Sequence, residues 1–159
     1  AAWGGICCSE PSCLTVSVRH ARWTFDAVMA RKAFTVSIPD SPLAEAADYL
    51  GLASGRDADK LAVAGLTPVR SELVDAPYIA ECPLVLELSL FKTLELGSHV
   101  QFIGRILDVK VDESRLTPEG KPDTAKIDPL IYDGGERQYR RMGPAIAKAF
   151  SVGKGLLKK

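Results

Sequence analysis

At 159 residues and 47% hydrophobic content, the chain is the right size for one compact domain, residues 1–159, with a sizeable core. Twenty Lys and Arg balance twenty Asp and Glu, so no net field favours nucleic acid or an anionic membrane, and an anionic ligand must be held by local charge. Apolar runs are broken well short of the roughly 20 residues that span a bilayer, and no basic, apolar, cleavage-site sequence opens the chain, so no membrane partner and a soluble cytoplasmic protein are expected.

In chain order, Leu14 to Val18 alternates apolar and hydroxyl side chains and predicts a strand with one buried face, ended by Arg19-His20-Ala21-Arg22. Phe25, Val28 and Met29 then fall at helical spacing, which predicts a short helix with Thr24 as N-cap and Asp26 in its first turn. Ala33 to Ile38 reads as a strand closed by Pro39. Ser41-Pro42 opens a helix whose apolar stripe runs through Leu43, Ala46, Ala47 and Leu50 and stops near Ser54-Gly55. A second short helix begins at Asp57 and ends at Gly65, and Thr67-Pro68 resumes extended chain.

The clearest element is a long hairpin from Leu84 to Val111 turning at Gly97-Ser98. Leu84, Leu86, Leu88, Leu90, Leu94 and Leu96 form one apolar face, and Ile103, Leu107, Val109 and Val111 form the other strand's. Strands of that length belong to barrels or sandwiches, where closure or a partner covers the edges. Pro118 to Pro122 is a turn by composition, Leu130-Ile131-Tyr132 a short strand, Pro144 to Phe150 a short helix, and the tail from Gly153 frays. The order predicts an α+β fold around an antiparallel barrel, with short peripheral helices.

Chemistry is concentrated in a few segments. The strand running through Arg19, His20 and Arg22 into a helix start can bind an anion, because helix N–H groups, the dipole, forked guanidinium donors and the Thr24 hydroxyl converge there. The same residues also suit a plain capped helix with solvated basic side chains. Ala1-Ala2-Trp3-Gly4-Gly5 places small residues around an indole, which suits either a flat ligand or a packed core tryptophan.

Lys60 sits at a helix start where the dipole does not favour it, as a ligand-binding group or as the partner of an acidic neighbour. His99, one of two histidines, follows the hairpin turn and can either meet a ligand or lie on the surface. Cys7, Cys8, Cys13 and Cys82 make no C-x-x-C pair, and no histidine stands at ligand spacing, so no metal is expected. Small buried free thiols are expected instead. No nucleophile elbow, P-loop or G-x-G-x-x-G is present.

These segments, in this order, resemble the flavin reductase-like family, and most closely its flavoredoxin-type members. The resemblance rests on Ala1-Ala2-Trp3-Gly4-Gly5, Val16-Ser17-Val18-Arg19 with Trp23-Thr24, and Phe34 to Pro39. It continues through Ser54-Gly55-Arg56-Asp57 with Asp59-Lys60-Leu61, then Gly97-Ser98-His99 with Phe102-Ile103-Gly104, and Ala149 to Gly153.

The resemblance implies a split β-barrel homodimer carrying electrons through one FMN per subunit. It places Ala2, Trp3 and Gly4 along the isoalloxazine ring, and Ser9 and Pro11 in a loop touching the flavin. Arg19, His20 and Thr24 would hold the phosphate, Lys60 would reach the FMN, and His99 would be the catalytic group where a nicotinamide or other electron partner approaches. The implied activity is electron transfer from NAD(P)H to flavin or another acceptor. Alternatives are a flavoredoxin-type carrier acting with a redox protein partner and a cofactor-free dimeric binding module.

Two departures from the family stand out. Relatives place an additional strand and the start of a flavin-contacting loop ahead of Ala1, and the chain opens without an initiator methionine, as expected of a trimmed or partial sequence. In the phosphate segment, His20 and Arg22 flank Ala21.

Overall fold

The computed structural model describes residues 3–55 and 59–157. In chain order its strands are β1 (Gly4–Ser9), β2 (Ser12–Val18), β3 (Ala33–Ile38), β4 (Pro68–Arg70), β5 (Pro77–Ile79), β6 (Leu84–Leu96), β7 (His99–Val111), β8 (Ile131–Asp133) and β9 (Gln138–Arg140). The α-helices are α1 (Trp23–Arg31), α2 (Ala44–Leu52), α3 (Lys60–Val63) and α4 (Thr124–Ile127). A five-stranded antiparallel sheet ordered β1-β2-β7-β6-β3 carries the structure, and β4-β5 and β8-β9 form separate two-stranded ribbons.

The long hairpin forms as the leucine alternation predicts, with Gly97 supplying the left-handed turn residue (φ 54°). Its even-numbered leucines nevertheless do not share one face. Leu90 pairs with Gly104 but Lys92 pairs with Ile103, two steps on β6 against one on β7. That bulge at Phe91 turns the strand over. Leu86 and Leu88 are buried in the core, with Leu84 and Leu90 packed against it. Leu94 and Leu96, half exposed, lie on the opposite face beside Gln101 and His99. A one-residue insertion in the pairing leaves no mark in a period-2 pattern.

The core lies between one sheet face and α1. Leu14 and Val18 of β2, Phe34 of β3, Leu86 and Leu88 of β6, and Val100 and Phe102 of β7 enclose Val28 of the helix. Phe102 and Leu88 are completely buried, each stabilising the fold by about 1.5–3 kcal/mol through the area removed from water. Gly104 is required by this packing, because a Cβ there would sit 2.6 Å from Phe34 Cζ and 2.9 Å from Leu88 Cβ.

At the open end of the hairpin the other face is covered as well. Thr35 Oγ1 donates to the Pro77 carbonyl oxygen (2.5 Å) and Ile79 N–H donates to Ser37 Oγ (3.1 Å), so β3 holds β5 across it. Glu87, the register partner of Thr35 and of Asp108, is fully buried there. Lys110 Nζ lies 3.1 Å from Glu87 Oε2 and 2.7 Å from Asp108 Oδ2. Neither Glu87 oxygen has an aligned hydrogen-bond donor among the described residues, so charge rather than geometry pairs it.

Other expectations are corrected. The N-cap of α1 is Arg22, not Thr24: Arg22 N–H donates to the Arg19 carbonyl (3.0 Å) and Phe25 N–H to the Arg22 carbonyl (2.9 Å), closing the first turn early. α3 begins at Lys60, with Asp59 as N-cap accepting from Ala62 N–H; the expected start at Asp57 lies outside the described residues.

Gly4–Ser9 is a strand that its Gly-Gly opening concealed, and β4, β5 and β9 are too short to show a period. Cys7 and Cys8 are exposed rather than buried, because β1 is a sheet edge. Residues 144–150 form no helix: Ile146 and Phe150 are both 98% exposed, and a short helix without a surface to bury its apolar stripe is marginal. A 3₁₀ helix, Lys154–Leu157, follows where fraying was expected.

Candidate functional site

Side chains alternate between the faces of a strand. Leu14, Val16 and Val18 enter the core, so Thr15 and Ser17 point away from it, as do Gln101 and Ile103 opposite them on β7. Together with Lys92, Leu94 and Leu96 from the hairpin tip they floor a trough on the outer face. Two adjoining clefts occupy it. One, of about 370 Å³, is lined by Trp3, Ser17, Arg19, Leu96 and His99. The other, of about 350 Å³, is lined by Cys7, Cys8, Pro11, Cys13, Thr15, Phe91, Lys92, Gln101 and Ile103.

The fold thus brings Trp3, Arg19 and His99, three residues separated by up to 96 positions, to one cleft. Trp3 is 57% exposed, and its carbonyl oxygen accepts from Ser17 N–H (2.8 Å), which extends the β1-β2 pairing to the indole. Gly4 lies so close to β2 that a Cβ would stand 2.8 Å from the Thr15 carbonyl oxygen, whereas nothing lies within 4 Å of one on Gly5. Strand packing therefore dictates glycine at position 4, and open space lies over position 5. His99 follows the turn, with Ser98 Oγ 2.8 Å from its Nδ1.

A second grouping forms at the start of α1. Gly55 lies against Trp23 and Lys60, since a Cβ on it would meet Trp23 Cε3 and Lys60 Cε, each at 3.8 Å. Lys60 Nζ donates to the Leu50 carbonyl oxygen (3.0 Å). Burial, and then the positive charge of Arg22, lower the Lys60 pKa below the ordinary lysine value. Two cations thus share the helix N-terminus, where the dipole is also positive. Thr24 occupies the second position of that helix.

The remaining expected residues stand apart from these groupings. His20 Nε2 lies 3.0 Å from Glu95 Oε2 and its ring centroid 4.7 Å from that of Phe25, so the ring is already engaged by the protein. Ser9 ends β1, and its carbonyl oxygen accepts from Ser12 Oγ (3.1 Å). Pro11 lines the cysteine end of the trough. Ala2 lies outside the described residues. Arg22, named in the sequence as part of the anion-binding junction, stands at the start of α1 as its N-cap, whereas Ser17, Leu96 and Gln101 are residues the sequence did not single out for the site. For Ser17 the polar half of the L-T-V-S-V alternation was the available signal; for Leu96 and Gln101 only the bulged register reveals their position.

Among the described residues no helix is long and apolar enough to cross a membrane. Comparison with known proteins gives a consistent family. Residues 1–142 match the model of the flavin reductase like domain. The flavoredoxin of Desulfovibrio vulgaris (Miyazaki F) is 51% identical and superposes with a TM-score of 0.92 over 97% of this chain and 82% of its own. Flavoredoxin from Methanosarcina acetivorans is 32% identical, with a TM-score of 0.90 over 97% of this chain and 81% of its own.

A high molecular weight rubredoxin of Moorella thermoacetica is 30% identical over 149 residues, 92% of this chain and 58% of that protein. The chain spans only 53 to 63% of the length of three curated relatives it matches. These likenesses establish the α+β antiparallel split-barrel fold, and with it the chain belongs to the flavin reductase-like family.

Proposed function

We propose that the trough binds one FMN per chain and that the protein transfers electrons through it. The convergence of Trp3, Arg19 and His99 on one open cleft carries this reading. The residues fit the cofactor. An exposed indole and the open space over Gly5 suit a flat aromatic ring, and Arg22 and Lys60 at the α1 N-terminus suit a phosphate. When bound, the flavin supplies the redox chemistry.

The protein binds, orients and shields. Trp3 walls the ring, Arg19 joins the cleft to the helix N-terminus, and Thr24 offers a hydroxyl there. Lys60, being partly buried, presents an ammonium whose solvation is already reduced, which favours an anionic partner over water. His99, tied to Ser98, stands where an electron donor approaches the outer face.

Two donors fit that position, a nicotinamide and a redox protein. The flavoredoxin and rubredoxin names of the similar proteins favour the protein partner for this chain. A homodimer is part of the proposal. Leu94 and Leu96 of the hairpin tip, with Ile146, Phe150, Leu156 and Leu157 of the C-terminal arm, leave more apolar surface exposed than one copy covers.

The test is the absorbance of the purified protein combined with an NADH oxidation assay. Bound oxidised flavin with negligible NADH turnover identifies a carrier, and rapid oxidation dependent on added flavin identifies a reductase. A colourless protein that ignores added FMN contradicts both.

A further inference from the structure

The cysteine end of the trough carries a chemistry that does not depend on the flavin reading. β1 supplies Cys7 and Cys8 in succession and β2 supplies Cys13. The register runs Ile6 opposite Leu14 and then Cys8 opposite Cys13, two steps on β1 against one on β2. At such a bulge two consecutive residues face one residue of the partner strand. Both edge cysteines therefore oppose Cys13, and all three line the same cleft.

The register partner of Cys13 is Cys8, at the roughly 4.5–5.5 Å Cα spacing of an antiparallel ladder, and Cys7 is the extra residue of the bulge beside that pair, so both edge thiols stand near the roughly 4.4–6.8 Å that a disulfide bridges. A shared metal is not the better reading, since no three His, Cys, Asp or Glu side chains among the described residues are placed to hold one. The two edge thiols differ. Cys8 Sγ is turned to the Glu10 carbonyl oxygen (3.3 Å). Cys7 is exposed, as Cys8 is, and burial first and then the neighbouring Cys13 and Cys8 thiols raise its pKa, whereas Cys13 is 2% exposed.

We propose that Cys7 and Cys13 form a dithiol site for molecules that carry a disulfide. The exposed Cys7 thiolate attacks one sulfur of the incoming disulfide, forming a mixed disulfide and expelling one thiolate. Cys13 then loses its proton and attacks Cys7 Sγ, which closes the intramolecular disulfide and expels the second thiolate. Two protein thiols are oxidised, one disulfide is reduced to two thiols, and the two protons pass to the departing thiolates or to solvent. Burial holds Cys13 away from solvent, so it resolves rather than initiates. The raised pKa of Cys7, from burial first and then from its thiol neighbours, makes the exchange faster above neutral pH.

The experiment treats the reduced protein, as purified and without oxygen, with oxidised glutathione at pH 7 and pH 9, then alkylates under denaturing conditions and maps the products by mass spectrometry. The expected product is a Cys7–Cys13 disulfide, formed faster at pH 9, with Cys8 and Cys82 alkylated. Cys13→Ala should halt at a stable glutathione adduct on Cys7, and Cys8→Ser should behave like the parent. Cys7→Ser, at an exposed position, tests the pair without disturbing the core and should leave Cys13 unreacted. A persistent Cys7 adduct in the parent protein, a disulfide formed through Cys8, or unchanged closure in Cys7→Ser would overturn the assignment.

Discussion

The two faces of the five-stranded sheet are built from the same strands and do opposite things. The inner face is filled by Phe34, Leu88, Val100 and Phe102 under α1 and leaves no space, to the point that Gly104 has no room for a Cβ. The outer face, one residue away along each strand, carries Thr15, Ser17, Gln101 and His99 around an exposed Trp3 and stays open. Strand alternation lets a single hairpin serve as both core and site. The bulge at Phe91 then moves Leu94 and Leu96 from the first role to the second. Stability should therefore reside on one face and ligand binding on the other.

The separation can be broken most severely from the inside. Phe102→Ala should cost about 3–5 kcal/mol, read as a drop in unfolding midpoint. Gly104→Val, which adds atoms where Phe34 and Leu88 already sit, should cost about 1–3 kcal/mol by overpacking. The corresponding outer-face change, Trp3→Ala, should leave stability within about 0.5 kcal/mol while abolishing quenching of flavin fluorescence. A large loss of stability from Trp3→Ala would show that the indole is structural after all.

The covered end of the outer face sharpens the comparison, because there the outer surface is also structural. Lys110→Met leaves Glu87 buried without its partner and should cost about 1–3 kcal/mol in chemical denaturation. Asp108 and then Glu87 raise the Lys110 pKa, and Lys110 in turn holds Asp108 below its ordinary 3.8. The Asp108 contribution is thus present above that value and lost as pH falls through its lower folded-state value. The Lys110 contribution is present below the ordinary lysine value of 10.5 and lost as pH rises through its raised one. Lys110→Met should flatten both limbs of the stability profile. The smallest expected effect is Lys60→Gln, with stability unchanged and FMN affinity lower by about tenfold, or about 1.4 kcal/mol.

How much of this was legible in the sequence follows from the range of each signal. The hairpin, β2, β3 and α2 were readable because alternation or helical spacing persists over enough residues to define a face. β1 was not, because its Gly4-Gly5 start is explained only by the strand it lies against. The helix expected over 144–150 failed for the complementary reason: its apolar residues have no surface within the chain to pack on. Of the site, Trp3, Arg19 and His99 could be named one by one, but their meeting in one cleft depends on strand order and on a bulge that local pattern does not encode.

The central claim is that the outer face holds FMN with its phosphate at the α1 N-terminus. Titrating flavin-free protein with FMN and with riboflavin, at low and high salt, tests it directly through flavin fluorescence. The expected result is one FMN per chain, bound at least about tenfold more tightly than riboflavin, with the difference shrinking as salt screens the phosphate. Equal affinity for the two, or no binding of either, would contradict it.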